Sequence, residues 1–335
     1  MLLALPLITA GILLRQADRI RFHLGHPRTA SAAQLIAVQR ARANDVTPSL
    51  LVAGQWAQIA GYWLLAAHGP LGAVAAAAGV AVQFRHLQEV SHHAVHGVLA
   101  RTRRTNQLLA EVGAHLPLGL APVAVRRRRH VRDHHPNATL AADPNLAELA
   151  GAGLRPGAGH IRLAAAVFFP VTPQGLRATL AALIANLRLR PGRCGGAGTA
   201  ALLLVPAAAY LAGGWAAVLA GVLIPRLLLY PLLAWWSLLV EHTWFDPDHR
   251  TGTAAEIEAG RCLRLYPRNP ALAALAAATW LPYGDLHHYA HSVHPGLRWN
   301  YLRALERHLP PPHFTPSALF AGRASVLRRH RAALT

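Results

Sequence analysis

Four runs of apolar residues, at 49–67, 71–84, 199–213 and 215–240, constrain the fold more than any other feature of this chain. A helix needs about 20 predominantly apolar residues to cross the hydrocarbon of a bilayer. The first and last runs approach or exceed that length. The second is short, but nothing breaks it before His86, so a helix begun there can continue beyond the hydrocarbon. His68-Gly69-Pro70 separates the first two runs and Gly213-Gly214 the last two, and both are strong turn signals. The runs therefore read as two helical hairpins and predict an all-α integral membrane fold with four transmembrane helices.

Arginine flanks these runs. The tract at 100–106, Arg126 to Arg129, the basic segment at 15–48 and the tract at 188–193 all stand beside expected span ends, where an excess of positive charge marks the cytoplasmic side. Both hairpins then open to the cytoplasm, and both termini face it. A formal charge of +19 with no lysine would by itself suit nucleic acid or anionic lipid; the apolar runs select the membrane, and no nucleic acid partner is expected. Residues 1–48 read as a cytoplasmic or interfacial segment, 49–302 as the membrane domain with a histidine-rich cytoplasmic cap, and 303–335 as a peripheral cytoplasmic tail. Residues 1–14 are apolar but lack the basic start and small-residue cleavage site of a signal peptide. Residues 108–125, interrupted by Glu111, His115, Pro117 and Pro122, read as interfacial. The stretch 163–187 holds Pro170, Pro173, Gln174 and Arg177; counting it as a crossing would place His242 on the side away from the other histidines. Cys194 and Cys262 belong to no CxxC and suggest neither a disulfide nor a thiolate metal site.

The histidines come in bursts beside these runs: HLQEVSHHAVHG at 86–97, RRRRHVRDHHPNAT at 126–139, VEHTW at 240–244 and GDLHHYAHSVHPGLRW at 284–299. His92 and His96 are four apart; His130, His134 and His135 are four and five apart. Helix residues three to four apart have Cβ atoms about 5–6 Å from one another, close enough for two imidazoles to share a metal ion. Imidazole suits iron, zinc, copper and nickel. Counting His92, His96, His130, His134, His135, His242, His288 and His291 gives eight nitrogens, too many for one four-coordinate zinc and suited to two ions that each keep an open position. Glu89, Asp133, Glu241 and Asp285 stand beside these histidines and are candidates to orient them. A membrane zinc hydrolase fits poorly, because HHAVH has the spacing of HExxH without the glutamate that activates water. A haem or metal-transport protein would be expected to carry its histidines inside the spans, not at their ends.

The HHAVHG motif, RRRHVRDHHPNAT followed by DPN at 143–145, the histidine after the last run and HYAHSVHPGLRWNYL at 288–302 together resemble the membrane fatty acid desaturase and hydroxylase superfamily, from about residue 50 to 302. The resemblance implies a non-haem centre of two iron ions on the cytoplasmic ends of the helices, using dioxygen and two electrons to attack an unactivated C–H bond of a lipid. It implies His92 and His96 in the first box, with Asn106 at the family's frequent downstream asparagine. His130, His134 and His135 fall in the second box, His242 after the last span, and His288 and His291 in the third. Three features depart from the pattern. The second box is one residue longer than usual, His93 stands where the first box usually has glutamate, and Ser292 replaces the second histidine of the third box, which either leaves one iron a ligand short or is made good by His287 or His294. No haem-binding or ferredoxin-like segment is visible, so a separate donor, ferredoxin or cytochrome b5-like, is expected. Acyl chains partition into the bilayer at about 0.8 kcal/mol per CH₂, which concentrates such a substrate around the enzyme. The expected reaction is desaturation of a fatty acyl or related lipid chain. Hydroxylation or ketolation of a lipid or carotenoid is the alternative, because both begin with the same hydrogen abstraction.

Overall fold

A computed structural model describes residues 2–23, 31–190, 193–266, 268–320 and 322–335. Residues 24–30 of the expected interfacial segment and 191–192 of the basic tract lie outside it. The described residues hold no strand, only isolated bridges such as His242 with Cys262. The α-helices are, in order, α1 Ala4–His23, α2 Ala32–Arg42, α3 Val46–Ala66, α4 Gly69–Val95, α5 Arg103–Ala110, α6 Val123–Arg127, α7 Pro144–Gly151, α8 His160–Val167, α9 Pro173–Arg188, α10 Arg193–Val218, α11 Tyr230–Glu241, α12 Ala254–Arg261, α13 Pro270–Ala278, α14 His288–Val293, α15 Trp299–Glu306 and α16 Val326–Leu334. They form two compact units, one of residues 1–25, 40–126 and 173–233, the other of 26–39, 127–172 and 234–335.

In the first unit α3 and α4 make the first expected hairpin. The Asn44 side chain accepts from the backbone N–H of Val46 at 3.1 Å and Thr47 at 2.8 Å, satisfying donors that a helix start leaves open. Gly69 turns the chain with φ +85°, and Pro70 opens α4, where its missing N–H costs nothing. The two helices then run so close that a Cβ on Gly79 would lie 2.3 Å from the ring of Tyr62.

Among the described residues one helical stretch, Gly196–Glu241, is long and apolar enough to cross a membrane. It is not one straight helix. Gly213 (φ −151°, ψ 21°) and Gly214 (φ 62°, ψ −156°) leave helical geometry. Leu202 Cδ2 and Arg226 Nη2, on either side of that break, lie 3.2 and 3.6 Å from the position of a Cβ on Gly119. In an unbroken helix they would stand about 36 Å apart, so the chain doubles back at the glycine pair. Trp63 of α3 holds the reversal, with its indole N–H donating to Gly221 O at 2.9 Å. The stretch at 163–187 is divided between α8 and α9 by a tight turn, Phe169–Val171, with Pro170 and Pro173 at the break.

The second unit packs around Trp235, Leu239 and Trp244, with Leu149, Leu163 and Val326 against them. Trp235 Nε1–H donates to Ala166 O at 2.8 Å and Trp236 Nε1–H to Val167 O at 3.1 Å. The C-terminal tail, expected to be peripheral, belongs to this core. Val326 is fully buried, and His330 donates to Leu239 O at 2.9 Å. Arg328 and Arg331 lie on the open side of α16 while Val326, His330 and Leu334 point inward, so composition alone makes the segment look like surface.

Candidate metal centre

Six imidazoles of the second unit form a closed circuit. Ring centroids run from His135 to His130 at 4.6 Å, to His134 at 5.4 Å, to His242 at 5.4 Å, to His288 at 5.0 Å, to His291 at 5.6 Å and back to His135 at 5.2 Å. Within the circuit, His134, His242 and His288 bring nitrogens, and Glu241 an oxygen, all within 4.8 Å of one another; His130, His135 and His291 gather as closely. Facing nitrogens lie 3.1 Å apart in His130 and His135, and 3.4 Å apart in His242 and His288. Two nitrogens bound to one ion at about 2.1 Å are roughly 3.0–3.4 Å apart, so these separations fit shared coordination.

The extra residue in the second box is absorbed by the backbone. Arg128–His134 is a π-helix, in which the His135 N–H reaches back to His130 O. A π turn accommodates one residue more than an α turn, and His130, His134 and His135 keep a common face.

Three of the deep ligand candidates, His134, His242 and His288, have a neighbour beside the ring nitrogen that faces away from the cluster. Asp143 is wholly buried and caps α7 through the Asn145 N–H at 2.9 Å, and its carboxylate accepts the Nδ1–H of His134 at 2.9 and 3.1 Å. That fixes the tautomer and leaves Nε2 as the free lone pair. His134 Nε2 is buried and has no hydrogen-bond partner among the described residues, which is what a ligand nitrogen looks like beside its own chain. His242 faces Cys262 Sγ through Nδ1 at 3.4 Å, and the thiol donates to Glu258 Oε2 at 3.4 Å. Arg261 is paired with Glu258 and also donates to His135 O at 3.0 Å. Burial first, then the neighbouring His288 and His134, hold His242 well below its ordinary pKa, so it is neutral and able to donate a lone pair. Ser237 Oγ–H donates to Asp285 at 2.6 Å, and Asp285 lies 3.8 Å from His288 Nδ1.

In the first unit, His92 lies in the last turn of α4 and His96 is the residue that caps its C-terminal end. His92 Nδ1–H donates to Glu89 Oε1 at 2.5 Å, and the Nε2 atoms of His92 and His96 are 3.2 Å apart. Arg85 Nη1 holds the other Glu89 oxygen at 2.9 Å. The helix ends directly after His96 because Gly97 takes φ +79°, allowing Val98 N–H to reach His93 O and Gly97 N–H to reach Ala94 O, both at 3.0 Å.

Several expected residues take other roles. Asn106 is saturated, accepting from Leu99 N–H and Ala100 N–H and donating to Ala100 O and Thr102 O; it braces the turn after α4. Asp133 is exposed, and Asp143 stands where it was expected to act. Glu241 lies among the ligand atoms themselves. His287 Nδ1 is bonded to Glu306 at 2.8 Å, and neither it nor His294 belongs to the clustered groups. Ser292 itself is buried beside Cys262. Asp143 and Cys262 are the functional candidates that the sequence did not single out.

The donor set, six imidazoles with one carboxylate, suits divalent first-row metals including iron. The family profile for fatty acid desaturases matches residues 63–317. No curated protein matches the chain.

Proposed function

This chain belongs to the fatty acid desaturase family, and from that premise we propose that it is an integral membrane di-iron enzyme that introduces a double bond into a fatty acyl or related lipid chain. The family makes it an oxidoreductase of the desaturase and hydroxylase type, associated with membranes and acting on lipid. The closed circuit of six imidazoles, with His134 Nε2 buried and unpartnered inside it, carries the reading.

His134, His242, His288 and Glu241 would hold one iron, and His130, His135 and His291 would serve the other. The likeness of their spacing to the family's first histidine box carries the assignment of His92 and His96 as further ligands. Two bound iron ions would supply the activation of dioxygen and the removal of hydrogen from an unactivated C–H bond. The chain's own residues prepare for that chemistry. Asp143 and Cys262 orient His134 and His242, and Asp285 stands behind His288. The burial of His134, His242, His288 and His291 keeps bulk water from a site where it would compete with the lipid. Electrons would come from a separate ferredoxin or cytochrome b5-like donor. The two hairpins would span the membrane as four helices, with the histidines on the cytoplasmic side.

Expression of the full chain in a host lacking such activity, with lipid profiling of wild type against His134→Ala, tests the proposal. A product lighter by two hydrogens, lost in the variant, supports desaturation; a product heavier by one oxygen moves the assignment to hydroxylation. Purified protein without iron, or with a Soret band, overturns it.

A further inference from the structure

Residues 2–14 carry no charged side chain, and the helix they enter, α1, is apolar on every side until Arg15. Only one stripe of it, Ala4, Gly11, Asp18 and Phe22, is buried by protein. Leu2 is 92% exposed, Leu3 69% and Leu13 64%, and Leu5 and Ile12 are also exposed. A helix apolar all round belongs in a protein core or in lipid, and here protein covers a single stripe.

The stripe fixes where α1 lies. A Cβ on Gly61 would sit 2.8 Å from Ala4 O, and one on Gly54 would sit 2.5 Å from Gly11 O. Thr47 Oγ1 donates to Asp18 at 3.0 Å. Ascending positions of α1 thus meet descending positions of α3, so the two helices run antiparallel along their length with small residues at the contact, as close packing between membrane helices favours. Arg15, the first charge of α1, reaches Gln83 Oε1 at 3.3 Å and His86 Nδ1 at 2.8 Å on α4. The change from apolar to polar therefore falls at one level on α1 and α4. The part of α1 N-terminal to Arg15 lies along the apolar part of α3.

We propose that α1 enters the bilayer beside α3, with lipid acyl chains covering Leu3, Leu5, Ile12 and Leu13, and that residues 2–3 lie toward the membrane face opposite Arg15 and His86. This rests on reading α3 and α4 as spans, and it departs from the expectation that residues 1–48 form a cytoplasmic or interfacial segment. Its occupant is lipid because α1 shares its depth with two helices assigned to the membrane.

The test uses the full chain with Cys194→Ala and one added cysteine at a time: Leu3→Cys, Leu13→Cys, Arg19→Cys or His68→Cys. Each is exposed to a membrane-impermeant maleimide in right-side-out spheroplasts, in inverted vesicles and after detergent. We expect Arg19→Cys to react only in inverted vesicles, Leu3→Cys and His68→Cys only in spheroplasts, and Leu13→Cys only after detergent. Reaction of Leu3→Cys or Leu13→Cys in inverted vesicles, with His68→Cys still reacting from the opposite side, overturns the placement of α1 alone. His68→Cys reacting from the same side as Arg19→Cys removes the reading of α3 and α4 as spans, and this proposal with it. Disulfide-linked dimers of Leu13→Cys on oxidation in the membrane would assign the face to a second copy of the chain and overturn the lipid assignment.

Discussion

The Nδ1–H of His134 is held between both oxygens of Asp143, 2.9 Å from one and 3.1 Å from the other. Asp143→Asn keeps an oxygen to cap α7 but removes the charge that sets the His134 tautomer. Loss of such a partner typically weakens metal binding 10- to 100-fold. On the proposed function, the variant should fold and retain correspondingly less iron when purified protein is titrated and desalted; wild-type retention would mean the carboxylate does not govern the proposed ligand.

Cys262 should resist alkylation in the folded protein. Burial first, and the Glu258 carboxylate next, hold its thiol well above the ordinary pKa, so little thiolate forms. Peptide mass mapping should find it unmodified by maleimide in native protein and modified after denaturation. Rapid native labelling would contradict the buried contact with His242.

Gly214 sits at φ 62° and ψ −156°, a region essentially restricted to glycine, where another residue costs about 1–3 kcal/mol. Gly214→Ala should lower the thermal midpoint in detergent. Gly213→Ala should do so as well, because its Cβ would lie 2.3 Å from Trp63 O. Midpoints equal to wild type in both variants would argue that the chain does not reverse there.

His330 gives a pH dependence with a definite sign. Burial lowers its pKa from 6.5 to about 4, so between those values the unfolded chain binds a proton that the folded chain does not. Its contribution is complete above pH 6.5 and is lost as pH falls toward 4, amounting to about 3 kcal/mol at the acid end. His330→Gln should flatten that part of a stability-against-pH curve; an unchanged slope would place the sensitivity elsewhere.

Local signals were readable in the sequence and distant ones were not. The turn at His68-Gly69-Pro70 and the break at Gly213-Gly214 show in residue type alone, and the four- and five-residue histidine spacings show in the register of a helix. Asp133 was expected to orient a ligand because it precedes His134. Consecutive residues of a helical turn point in different directions, and the residue that turns toward His134 is Asp143, beyond a turn. Asp143-Pro144 signals a helix start but says nothing about a histidine nine positions earlier. Cys262 meets His242 through an isolated bridge formed by a loop, and no periodicity encodes that contact. α1 is legible in a different way: residues 1–14 read as apolar, but they fall short of the roughly 20 that a full crossing needs, and the sequence does not show that they pack along α3.

His92 stands in the last turn of α4 with His96 directly after the helix, and Glu241 closes α11 with His242 directly after it. The last carbonyls of a helix carry a partial negative charge of roughly half an electron. A carboxylate at that pole is repelled, whereas a doubly charged cation is drawn to it. Each of these helix ends thus contributes an electrostatic well made of main-chain dipoles, directed at the same side as its histidines.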